Sequence, residues 1–193
     1  MRTSAVLLLA ALAVFASLPS QAQVAVPQFD EAQPEQSFRE MARYLSADGG
    51  RWRADNPNYD EDNERSPPAF GLWFEWDSGI EVLSIEIVVY FPDRTVVSSS
   101  GGWLWHPGTE ALDNTTKNRN GSLSRGTTEF SEPSTFTTVA TLYGRSGKAS
   151  VHRDVNRLTS ASVHHNETFV ALPDGSWHSR GVFEWHREPA GER

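Results

Sequence analysis

The sequence predicts an all-β fold: a single antiparallel barrel of about eight to nine strands, preceded by one short helix. Three observations carry this. Apolar and polar residues alternate with a period of two through most of the chain, as in strands with one dry and one wet face. The alternating runs are joined by tight turn sequences such as Gly144-Arg-Ser-Gly147 and Asp174-Gly175. Only one segment, about Pro34 to Ala47, repeats its apolar residues at spacings of three and four.

Residues 1–22 read as a secretory signal peptide. Met1-Arg2 gives a positive start, Ala5 to Ala16 is almost wholly apolar, and Ser20-Gln21-Ala22 places small residues three and one before a cut. That run is too short for a membrane span, and no later run approaches the roughly 20 apolar residues a spanning helix needs. The expected location is therefore periplasmic or extracellular. The expected mature domain is 23–193, large enough to bury its own core.

In the helix, Pro34 suits the first turn and Gly49-Gly50 stops the element. Phe38, Met41, Ala42 and Leu45 form its apolar face. Trp52 lies on a first strand, Arg51 to Ala54. Residues 55–69 are an acidic loop rich in Asn and Pro, read as solvated, with a gate over the barrel as the sharper alternative. Strands follow at Phe70 to Asp77, Val82 to Phe91 and Thr95 to His106, with Gly101-Gly102 marking a bulge or bend. Residues 107–121 read as a polar loop. The remaining strands are Ser122 to Phe130, Phe136 to Tyr143, Ala149 to Val155, Thr159 to Leu172 and Trp177 to His186. In the last, simple alternation puts Trp177, Phe183 and Trp185 on one face.

Composition excludes several functions. A net charge of −8 disfavours the nucleic-acid backbone as a partner. With no Cys there are no disulfides, thiolate metal sites or thiol nucleophiles. There is no Gly-x-Ser-x-Gly, no phosphate-binding glycine loop and no His-x-His pair suited to zinc. The acidic run Asp60-Glu-Asp-Asn-Glu64 lacks the glycine turn of a calcium loop. No cofactor or metal is expected, and nothing fixes the oligomeric state.

Two constellations remain. His165 and Glu167 share a face with Ala161, Val163, Phe169 and Ala171. If that apolar face points inward, both lie inside the barrel as an orienting pair or an acid–base pair. Trp103, Trp105, Trp177, Phe183 and Trp185 could line a pocket, with ordinary core packing as the plain alternative.

The helix running into Gly49-Gly50-Arg51-Trp52 resembles the entry to lipocalin-like (calycin-type) barrels. So does the closing hairpin Glu167-Thr-Phe…Asp174-Gly175-Ser176-Trp177…Phe183-Glu184-Trp185. The resemblance is to bacterial exported domains and implies a small apolar ligand. The related haem-binding nitrobindins carry Gly-x-Trp-x-Gly-x-Gly; Gly50-Arg-Trp-Arg-Ala-Asp-Asn lacks the later glycines, which leaves haem on a residue such as His165 as an outlying reading. The expectation is an exported, non-catalytic barrel that binds a small apolar or amphipathic molecule. The alternatives are a barrel isomerase or hydrolase using His165 and Glu167, and a protein-assembly module.

Overall fold

The computed structural model describes residues 24–131 and 133–189. The expected signal peptide lies outside the described residues. The chain opens with an extended lead-in, then α1 (Pro34–Ser46) and a single 3-10 turn (Ala47–Gly49). Ten strands follow: β1 (Arg51–Asp55), β2 (Ala69–Asp77), β3 (Val82–Tyr90), β4 (Thr95–His106), β5 (Ala111–Asn118), β6 (Leu123–Phe130), β7 (Thr135–Tyr143), β8 (Ala149–Ser160), β9 (Val163–Ala171) and β10 (Trp177–Arg187). Each pairs antiparallel with its sequence neighbours, and β1 also pairs with β10, so the sheet closes on itself. The result is a closed antiparallel barrel with one short helix, consistent with a calycin-like fold. The closing seam is short: β1 meets β10 only at Trp52 with Arg187 and Arg53 with His186.

The strand count exceeds the expected eight to nine for one local reason. β5 occupies part of the stretch expected to be a polar loop. Its inward residues Asn114, Thr116 and Asn118 are polar because they face a cavity, so the hydropathy alternation that marks a strand is lost. The boundary between the expected strands Ala149 to Val155 and Thr159 to Leu172 also moves: β8 runs on to Ser160, and the turn at 161–162 separates it from β9, with no change in the count.

Alternating strand directions place the β2–β3, β4–β5, β6–β7 and β8–β9 connections at the end where α1 sits. The acidic loop at 56–68 joins β1 to β2 at the opposite end. It is shaped by Asn and Asp side chains accepting from backbone amides two residues on, at Asn58, Asp62 and Arg65.

The helix closes its end because its apolar face has nowhere else to go. Phe38, Met41, Ala42, Tyr44 and Leu45 are buried. Each large side chain among them contributes about 1.5–3 kcal/mol by leaving water. Phe38 meets Trp76 edge-on, with ring centres 5.4 Å apart. The indole Nε1–H of Trp52 donates to Leu45 O at 2.9 Å, fixing the first strand to the end of the helix. Gly50 makes this junction possible. Its φ is +65°, and a Cβ there would lie 2.0 Å from Phe74 O.

Arg187, at the end of β10, completes the junction. Its guanidinium donates to Tyr44 O at 2.8 Å, Ala47 O at 2.7 Å and Ala161 O at 3.0 Å. It also lies 4.1 Å over the Trp52 ring. One side chain therefore ties the helix terminus, the β8–β9 turn and the first strand together.

Candidate functional site

Ten strands enclose more room than inward side chains fill, and a cavity of about 430 Å³ lies inside the barrel. Its chemistry divides by wall. Phe70, Leu72 and Phe74 of β2, Ile85 and Ile87 of β3 and Trp103 of β4 make an apolar side, continued by Phe183 and Trp185 of β10. Leu45 of α1 also reaches the space. Polar groups enter from the other strands, most densely His152, Asp154 and Asn156 of β8 and His164, Asn166 and Thr168 of β9.

The polar side falls into two groups. On β5 and β7 the lining side chains of Asn114, Asn118 and Thr138 bond to other side chains or to backbone. The Trp103 Nε1–H donates to Thr128 Oγ1 at 2.9 Å, and Thr128 shares a 2.7 Å hydroxyl contact with Thr138. Ser99 and Asn118 are joined by a short hydrogen bond at the end remote from the helix. On β8 and β9, Asp154, Asn156, Asn166 and Thr168 face the cavity without such partners. Asp154 lies opposite Thr168, and Asn156 lies opposite Asn166. Burial pushes the Asp154 carboxyl up to about 6.

His164 sits below them, 1% exposed. Its ring lies 4.8 Å from Trp52 and 6.1 Å from Trp185, centre to centre. Its Nδ1 and the Trp185 Nε1 are buried with no hydrogen-bond partner. Burial, with the Arg187 charge beside it, pulls the His164 imidazole down to about 3, so it is neutral at physiological pH. His152, farther from the helix, contacts Ser150 Oγ at 2.8 Å and is also lowered, by burial and then by Arg180.

The expected site residues divide. Trp103, Phe183 and Trp185 line the cavity. Trp105 packs against the core beside them without lining that space. Trp177 lies on the outer surface, where the Arg153 guanidinium stands 4.6 Å over its ring. The cause is a bulge. Ser179 pairs with Phe169 and Gly181 with Thr168, so Arg180 is an extra residue that reverses the facing of everything before it.

His165 and Glu167 also point outward, against the expectation of an inward apolar face. The His165 side chain is 42% exposed and lies 3.5 Å from Glu184. Glu167 accepts from Ser179 Oγ at 3.2 Å and pairs across from the exposed Val182. The apolar Phe169 on that face is covered by Arg153, 4.4 Å above its ring, rather than by the barrel interior. The two residues therefore form no acid–base pair facing the cavity, and His165 is not placed to hold a haem within it.

Sequence reasoning missed the polar quartet Asp154, Asn156, Asn166 and Thr168, together with His164. On β8 the apolar Val151 and Val155 lie on the outward face, so alternation there points the wrong way. The one available signal was that His164, Asn166 and Thr168, on the face of β9 opposite His165 and Glu167, alternate cleanly.

Among the described residues, no three His, Asp or Glu side chains converge so as to hold a metal ion. None of the described helices is long and apolar enough to cross a membrane. No known family model and no curated protein matches the chain.

Proposed function

We propose that this chain is an exported, non-catalytic barrel that binds a small amphipathic molecule inside its sheet. The observation that carries this reading is the cavity of about 430 Å³ with an apolar side and a polar side. A barrel built only as a packed module would fill this volume with side chains, since protein interiors are close-packed. The signal-peptide pattern at 1–22 supports export. The outward placement of His165 and Glu167 removes the motive for the enzyme reading.

Trp103 and Trp185 line the cavity and report on it directly. Titrating the mature chain with amphipathic ligands is expected to change intrinsic Trp fluorescence saturably, at one ligand per chain. Ala140 also lines the cavity, and Ala140→Phe is expected to fill the space and lower affinity at least tenfold. A response that never saturates, or that persists unchanged in Ala140→Phe, overturns the proposal.

A further inference from the structure

The cavity carries a charge preference as well as a shape. Asp154 and Thr168 face each other across the β8–β9 pair, and so do Asn156 and Asn166 one step nearer the helix. Directly opposed residues on one sheet face have Cβ atoms about 5 Å apart, so these four form one compact polar patch. β3 is five strands round the ring from β8, on the far side of the barrel, and presents Ile85 and Ile87. A ligand lying across the barrel therefore meets hydrocarbon at one end and the patch at the other.

Asp154 sets the sign of that patch. No lysine or arginine lines the cavity among the described residues. The remaining titratable groups that face it, His152 two residues along β8 and His164 on β9, are both held toward the neutral form by burial. Nothing in the cavity compensates a ligand carboxylate or phosphate. Asp154 is instead a carboxylate short of counter-charge, and a buried charge gains strongly from a partner.

We propose, building on the binding function inferred above, that the ligand is a small amphipathic organic cation. A protonated amine would be held by Asp154, with Asn156, Asn166 and Thr168 around it, and its apolar body would lie against β2 and β3. Burial raises the Asp154 carboxyl to about 6, so it is ionised at neutral pH yet poorly solvated, the condition in which a cationic head is most welcome. An ammonium supplies only donors, and Asp154 together with the side-chain carbonyls of the two Asn residues supplies acceptors.

The test compares three ligands that share one chain: decylamine, decanol and decanoate. Each is titrated at pH 7.5 into the mature protein and into Asp154→Asn, with Trp fluorescence and calorimetry as readouts. Decylamine is expected to bind at least tenfold tighter than decanol, with decanoate weakest. In Asp154→Asn the amine preference over decanol disappears while decanol still binds saturably, which also shows that the variant is folded. Asp154→Ser repeats the measurement with a smaller group. The charge proposal is overturned if decanoate binds as well as decylamine, or if the amine preference survives in both variants. Failure of all three ligands to bind overturns the binding function itself; decanol binding without amine preference overturns only the cation.

Discussion

Two cavity-lining residues on adjoining strands titrate in opposite senses. His164 has its folded pKa pulled to about 3, below an ordinary 6.5. Between those values the unfolded chain binds the extra proton, so acidification destabilises the fold, by on the order of 4 kcal/mol over the whole window. Asp154 has its folded pKa raised to about 6, above an ordinary 3.8. Between those values the native state binds the extra proton, so acidification stabilises the fold, by about 2–3 kcal/mol. From pH 6 down to pH 4 the two contributions oppose each other. His164→Phe keeps a ring between Trp52 and Trp185 and removes one of them. Urea denaturation from pH 7 to pH 4 is expected to show less acid destabilisation than wild type in His164→Phe, and more in Asp154→Asn. Equal pH slopes in all three proteins would refute this assignment. Neither residue stood out in the sequence, because period-two alternation says which residues share a face but not which face points inward. His165 shares its face with Phe169 and so resembles the interior residue; the arginine that covers Phe169 comes from another strand.

Arginine over aromatic rings recurs on the outer faces of several strands. Arg51 lies 4.5 Å over Trp73, Arg53 lies 4.7 Å over Tyr90, and Arg153 stands over both Phe169 and Trp177. This explains how β2 can be apolar on both faces: Phe70, Leu72 and Phe74 face the cavity, while Trp73 is roofed by a cation. Elements with a clean pattern were legible from sequence. The helix, the strands β2 to β4 and the hairpin turn at Gly175 all lie where spacing and turn chemistry put them. β5 was not, because strands that line a polar cavity lose the hydropathy contrast that marks them. The bulge in β10 was not, although Gly181 hinted at it. Gly181 has φ +153°, a conformation that side-chain-bearing residues rarely adopt. Gly181→Ala is expected to cost about 1–3 kcal/mol in chemical denaturation. No loss would mean that the bulge migrates along β10 at little cost.

At the scale of the whole molecule, the barrel is firm at one end and receptive in its interior. The helix, Trp52 and Arg187 concentrate the tightest packing at the closed end, and the cavity lies beyond it. This division lets the interior hold unpartnered polar groups that a fully packed core could not tolerate. It also bears on how the barrel assembles. Nine of the ten strand pairings join sequence neighbours and can form progressively as hairpins. The tenth, β1 with β10, is in register only at Trp52 with Arg187 and Arg53 with His186, and it joins opposite ends of the domain. Bringing such distant segments together carries the largest chain-closure entropy in the fold, so this pairing is expected to form after the rate-limiting step. Arg187→Ala removes one donor from each of three backbone carbonyls; Ala47 O keeps the Gly50 N–H, and each carbonyl left buried and unpaired costs about 1–3 kcal/mol. In a stopped-flow chevron, the variant is expected to unfold about a hundredfold faster while its folding rate scarcely changes. A slowed folding limb would instead place closure within the nucleus. If closure is late, the side chain that locks the barrel sets how long the native state lasts and has little influence on how quickly it is reached.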